Sequence, residues 1–396
     1  MKILLITPRF PPECCGVGDF TWRLAEALQQ AGREICVLTR PAGGARPPGI
    51  RVIEHSLDGW RDLLSARSAS RSVGPDVVQL EYSSYGWGRW GFAFWVNALA
   101  LLLRLDGLRM VLALHETGIN FRQHPRRAGV AVIQRVHLAL LMWTASEVLV
   151  NLPHRLRILR RWLPGQAHKL RYRPNASNIP VAPLPPGGRE ALRARRGALQ
   201  GEIVVAVFGN FASAKNYEAV IEAVKTLRLG QRLKLWLLGE WAGAQPAYIA
   251  GLQAAALELN GDVFWSGRLP AGEISAHLSA ADIFVLPQND GHLTRSGAFM
   301  AAAAHGLPVI AVRNEENQAG FTHGKNVWIV AQSRAEEFAA AIQHLTSHSG
   351  ERERLGRNLR ALYQEQYDWP RVAALSGTGD REALRPAAVS LENVAP

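Results

Sequence analysis

Four short stretches of this chain carry residue types suited to holding an anion or moving a proton. Gly16-Val17-Gly18 stands directly before Asp19 and an amphipathic run. Its glycines allow backbone N–H groups to approach an anion at a helix start; the alternative is a plain loop with Asp19 as the helix cap. His115-Glu116 ends the apolar run Val111-Leu112-Ala113-Leu114. A histidine so placed can donate to a hydroxyl or to charge developing at a reaction centre, or it can be structural. Gly209 precedes Lys215-Asn216, and Lys215 is one of only six lysines in the chain. A lysine beside a helix start can neutralise a departing diphosphate; otherwise it is a solvated side chain. Arg295-Ser296-Gly297 opens a small-residue run to Ala304. The arginine fork suits phosphate, Thr294 is the predicted helix cap, and the alanines allow close packing on a sheet.

The elements that must position these stretches follow from periodicity. Apolar runs predict strands near 3–7, 34–38, 51–54, 76–80, 110–114 and 146–150, with helices at 19–31, 61–71, 92–105, 127–143 and 153–163. The stretch 174–201 changes character, with Pro174, Pro180, Pro183, Pro185, Pro186, Gly187 and Gly188 before a short arginine-rich helix. The alternation then restarts, with strands at 203–207, 233–238, 262–265, 282–286, 308–312 and 327–330. Helices are expected at 216–228, 246–258, 271–279, 294–304, 334–347 and 351–365. This pattern reads as an α/β chain with two doubly wound parallel sheets and a cleft between them. The expected domains are 1–175, a linker over 176–201, a second domain over 202–375, and a disordered tail over 376–396. In open parallel sheets ligands bind beyond the carboxyl ends of the strands, where all four stretches fall.

Composition narrows the classes. A length of 396 residues with 48% apolar content suffices for two cores. Three cysteines without disulfide or zinc spacing point to a reducing, cytoplasmic setting. The start, Lys2 to Thr7, reads as a buried strand and is too short for a signal peptide. The excess of 45 basic over 33 acidic residues is scattered and has no nucleic-acid-binding motif beside it. It fits an anionic lipid surface or negatively charged substrates at least as well. The run Gly91–Leu103 would make a helix of about 20 Å, too short to span a bilayer. It is either a buried helix or, with Trp87, Trp90 and Trp95, an interfacial one. A dinucleotide fingerprint would need a third glycine where Thr21 stands, which speaks against a Rossmann oxidoreductase or epimerase.

Taken together, in order and spacing, these stretches resemble the retaining glycosyltransferases of family 4, which have the GT-B fold. The resemblance spans about residues 1–373. It includes the Gly16–Gly18 loop, His115-Glu116, Gly209 to Asn216, Leu237-Leu238-Gly239, Asp282 to Pro287, Ala304 to Val309 and Tyr367-Asp368-Trp369. The family commonly carries two glutamates eight residues apart, whereas no glutamate lies between Asp290 and Gly306 here; Asn210 also replaces a usual arginine. The pattern Asp290-Gly291 followed by Arg295-Ser296-Gly297 resembles a bacterial branch without those glutamates. The resemblance implies transfer of a sugar from a nucleotide-diphosphate-sugar, UDP- or GDP-linked, to a glycan or lipid-linked acceptor, with retention and without metal or cofactor. It implies His115 and Asp290 as catalytic residues. Gly16, Val17, Gly18, Gly209, Lys215, Asn216, Arg295, Ser296 and Gly297 would hold the donor. A cytoplasmic enzyme in reversible contact with the inner face of the plasma membrane is expected. The alternative is an inactive GT-B scaffold that binds sugar nucleotide or a partner protein.

Overall fold

The computed structural model describes residues 1–13, 15–118, 125–227, 232–241, 245–259, 261–288, 292–314 and 320–376. They form two compact units, Met1–Asn175 joined by the chain from Trp369, and Ala176–Asp368.

The first unit is a seven-stranded parallel sheet. Its strands are β1 (Lys2–Ile6), β2 (Glu34–Thr39), β3 (Arg51–Glu54), β4 (Val77–Tyr82), β5 (Arg109–Leu114), β6 (Glu147–Val150) and β7 (Leu170–Tyr172), in the order β3-β2-β1-β4-β5-β6-β7. The connections are α1 (Gly16–Gln30), α2 (Leu63–Ser72), α3 (Ser84–Trp87), α4 (Phe94–Leu105), α5 (Ala128–Thr144) and α6 (Pro153–Trp162). Central strands such as Ile3-Leu4-Leu5-Ile6 are apolar and buried throughout because helices cover both faces. The order reverses between β1 and β4, so the loops after those strands diverge and leave a crevice at the carboxyl edge.

The second unit repeats the plan with six parallel strands. They are β8 (Ile203–Phe208), β9 (Leu233–Leu238), β10 (Val263–Trp265), β11 (Ile283–Leu286), β12 (Val309–Val312) and β13 (Trp328–Val330), in the order β10-β9-β8-β11-β12-β13. Its helices are α7 (Gly188–Arg195), α8 (Tyr217–Leu227), α9 (Pro246–Leu257), α10 (Ala271–Ala280), α11 (Gly297–Ala304), α12 (Ala335–Ser347) and α13 (Ser349–Gln366). The reversal lies between β8 and β11.

Two expectations are corrected. The stretch 176–201 is part of the second unit rather than a linker. The Asp282 carboxylate accepts from Arg189 at 2.6 Å, Arg193 at 2.8 Å and the Val204 N–H at 2.8 Å, which fastens α7 to the β8 and β11 starts. The last helix, α14 (Trp369–Ala374), returns to the first unit. There Trp369 packs on Phe20 of α1, with ring centroids 5.2 Å apart, and Ser376 is buried and accepts from Arg173. Of the two readings of the run at 91–103, the inner face of α4 fits the buried one: Trp87 and Trp95 are 1% and 4% exposed and meet edge to face, while Leu101 is exposed on the outer face. The expected tail beyond Ser376 lies outside the described residues.

Candidate active site

In the first unit the sequence-predicted residues gather at the carboxyl edge. Helix α1 begins at Gly16, so the N–H groups of Gly16, Val17 and Gly18 belong to its first turn, which has no intrahelical acceptors. Gly18 is packed hard: an added Cβ would sit 2.8 Å from the Arg9 carbonyl oxygen, whereas one at Gly16 would meet open space. Two residues later Phe20 presents its ring to His115 in an edge contact at 5.2 Å. The Gly16–Gly18 turn and His115 are thereby neighbours.

His115 is held by a buried polar cluster that sequence reading missed. Register pairs Glu81 of β4 with Ala113 of β5, which brings Glu81 beside the residue that ends β5. His115 Nε2 lies 2.6 Å from Glu81 Oε2, and Gln79 donates to Glu81 Oε1. Arg173 stands 3.7 Å from the same carboxylate and covers the Phe20 ring at 4.9 Å. Burial by itself raises the Glu81 pKa, but the Arg173 charge, the His115 hydrogen bond and Gln79 outweigh it and hold the carboxyl below the usual range. An ionised carboxylate accepts only. Nε2 therefore carries the proton, and Nδ1 is the ring's other polar atom. Arg155 of α6 donates to the His115 carbonyl at 2.8 Å and fixes the backbone. The signal was present as Gln79 and Glu81, two polar residues at alternate positions of an otherwise apolar strand. Glu116 accepts from Ser83 instead.

In the second unit Gly209 ends β8 with φ of 141°, a conformation that favours glycine. Lys215 folds back over it, with Nζ 3.4 Å from where a Gly209 Cβ would stand. Gly239 has φ of 136°, and a Cβ there would lie 1.9 Å from the Gly209 carbonyl oxygen, so the β8 and β9 ends meet only through two glycines. Asn216, at φ of 52°, uses its amide to donate to the Ser333 carbonyl and hydroxyl at 2.8 Å. Ser333 in turn donates to the Pro287 carbonyl, tying the β8 loop to the β11 loop. Asn216 is thus a bracing residue between the two loops.

After β11, Arg295 ends a 3-10 turn (Leu293–Arg295) and is half-buried. The α11 cap is Ser296, whose hydroxyl accepts from the Phe299 N–H at 3.2 Å; Thr294, the expected cap, is buried one turn earlier. Gly297 opens the helix, with open space where a Cβ would go. His305 is structural: it bonds Ser275 and the Ala301 carbonyl, and burial pushes its pKa down. Asp290 lies outside the described residues. Adjacent parallel strands β8 and β11 place Lys215 and Arg295 on loops at the same carboxyl edge of the sheet.

Comparison with known proteins gives the following likenesses. A family model described as glycosyl transferases group 1 matches residues 188–362. The chain is 24% identical to the D-inositol 3-phosphate glycosyltransferase of Pseudarthrobacter chlorophenolicus, over 91% of this chain and 89% of that protein. It is 31% identical to the lipopolysaccharide core biosynthesis glycosyltransferase LpsE of Rhizobium meliloti, over 38% of this chain and 42% of that one. Among solved structures, sucrose-phosphate synthase from Thermosynechococcus elongatus superposes with a TM-score of 0.73 at 20% identity, covering 96% of this chain and 98% of that one. HepE of Anabaena, crystallised in complex with UDP-glucose, gives 0.73 at 15% identity, covering 95% and 98%. Residues 188–362 thus resemble a group 1 glycosyl transferase domain, and the chain is a glycosyltransferase with the GT-B fold.

Proposed function

We propose that the chain moves a sugar from a UDP- or GDP-sugar to a glycan or lipid-linked acceptor, with retention at the anomeric carbon and without a metal ion. The observation that carries this reading is that Lys215 and Arg295 stand on the loops after the adjacent strands β8 and β11, with the first loop tied through Asn216 and Ser333 to Pro287. Two cations at that edge supply the charge that would otherwise fall to a metal on a departing diphosphate. The chain has no Asp-x-Asp sequence of the sort that holds a donor-bound metal. The bond from the anomeric carbon to the diphosphate breaks with its electron pair on the leaving oxygen. The acceptor oxygen forms its bond on the same face, and its proton passes to the departing diphosphate. No protein nucleophile is needed. In the first unit the α1 N-terminus at Gly16–Gly18 and the Glu81-oriented His115 are proposed to contact diphosphate and sugar. UDP-glucose in the HepE crystals supports the donor class, while the names of the two curated relatives point to different acceptors. They do not choose the acceptor.

The test is release of nucleoside diphosphate from UDP- and GDP-sugars in the presence of EDTA. The wild type is expected to turn over donor in EDTA, and Lys215→Ala to fold normally but lose roughly 10²-fold or more in rate. Activity that EDTA abolishes and manganese restores would sink the metal-free mechanism. A Lys215→Ala rate near normal would remove Lys215 from the site.

A further inference from the structure

Helix α5 turns an unpartnered apolar stripe outward. Val132, Val136, Leu140 and Trp143 follow one another at spacings of four, four and three, one helix face. All four are exposed, Trp143 at 65%. Beside the stripe, Trp162 at the end of α6 and Leu163 after it complete a groove of about 800 Å³ whose lining is almost wholly apolar. Contiguous exposed apolar surface of this kind on a soluble domain marks an interaction site.

Charge says what kind of partner it meets. Residues 126–171 carry nine arginines and lysines against a single acidic residue, Glu147, two thirds of the chain's net charge of +12. Arg135 lines the groove itself, and other cations flank its helices. Arg126 and Arg127 are exposed just before α5, and Arg160 and Arg161 directly precede Trp162. Lys169 donates to the Trp143 carbonyl at 3.0 Å. Burial, and then the Arg104 charge, lower the Lys169 pKa.

We infer that this face docks on an anionic lipid bilayer, with the Val132–Trp143 stripe inserted at headgroup depth and the flanking cations on lipid phosphates. A second copy is disfavoured because a two-fold interface would press like charges together. A folded acidic partner would need hydrogen-bond partners in the groove, where only Arg135 and Gln166 are polar. An interfacial helix needs this pairing of apolar stripe and basic flanks. The site lies on α5 and α6 and not on the run at 91–103, which packs beside α5. The inference deepens the lipid-linked acceptor part of the proposed function, but it is read without sugar nucleotide, so either can fail alone.

The test is sedimentation of the full chain with phosphatidylcholine vesicles, with and without phosphatidylglycerol. Strong binding to anionic vesicles only, weakened by salt, is expected. Arg160→Ser with Arg161→Ser should lower the partition about 30-fold, as follows from about 1 kcal/mol per cation. Leu140→Asn with Trp143→Ser should lower it at least tenfold. Both pairs are exposed and outside the donor site, so donor hydrolysis should be retained as the check on folding. Equal recovery with neutral and anionic vesicles, or binding untouched by both pairs, would overturn the inference. So would a wild-type dimer that the Leu140/Trp143 pair dissolves, since the occupant would then be a second copy.

Discussion

A carboxylate that no solvent reaches has to be answered by protein groups, and Glu81 is answered by three: Arg173, His115 and Gln79. The arrangement explains why His115 presents one ring nitrogen and not the other, and why Arg173 tolerates near-complete burial. Removing one partner of such a pair strands the other charge. Glu81→Gln should therefore destabilise the protein by on the order of 3 kcal/mol, read as a lower denaturant midpoint. Glu81→Gln with Arg173→Met removes both charges and should recover much of the loss. A single variant as stable as wild type, or a double variant worse than the single, would show that the pair is not coupled in this way. At this scale the sequence was half legible. That His115, Lys215 and Arg295 follow strands could be read from the sequence, as β5, β8 and β11 show. The place of Glu81 could not, because nothing local says that a glutamate inside a strand faces the end of the neighbouring strand; register alone decides that. Asn216 was legible as polar but not as spent on Ser333, 117 residues away.

Elements were legible almost throughout, since a parallel sheet buried on both faces writes each strand as an unbroken apolar run. What escaped were β7, only three residues long, and α3, only four, together with the assignment of α7 and α14 to their units. Those assignments depend on long-range anchors, Asp282 for α7 and Phe20 with Arg173 for α14, which no window of sequence contains. The turn into α1 shows the same limit. Gly16 and Gly18 look equivalent in sequence, yet only Gly18 touches backbone. Gly18→Ala should push α1 off the Arg9 carbonyl and cost about 1–3 kcal/mol, while Gly16→Ala should leave the urea midpoint within about 0.5 kcal/mol of wild type. If Gly16 guards anion access, its variant instead raises the donor KM while stability holds. Equal destabilisation by the two would mean that close packing is not what separates them.

For the whole molecule, pH acts on stability through histidines that fold into apolar surroundings. His137 in the first unit and His277 and His305 in the second all have their pKa lowered, in each case chiefly by burial. Unfolded, such histidines bind a proton near pH 6.5. Folded, they resist it. Below that pH the unfolded chain holds more protons than the folded one, so stability present above pH 6.5 is lost as the solution is acidified. At pH 5.5 each histidine can contribute up to about 1.4 kcal/mol of that loss. Glu81, held below its ordinary pKa, adds its own loss only in more acidic solution, around and below the usual glutamate range. The melting temperature is therefore expected to fall by several degrees between pH 7.5 and pH 5.5, more in the unit that carries two of the three histidines. A chain with net charge +12 also repels itself more as it gains protons, and that effect has the same sign. Salt separates the two, because 1 M salt screens exposed charges within about 3 Å but leaves buried imidazoles unchanged. A drop that persists in 1 M salt is the histidine effect; one that disappears is surface repulsion, and the buried histidines would then contribute nothing measurable.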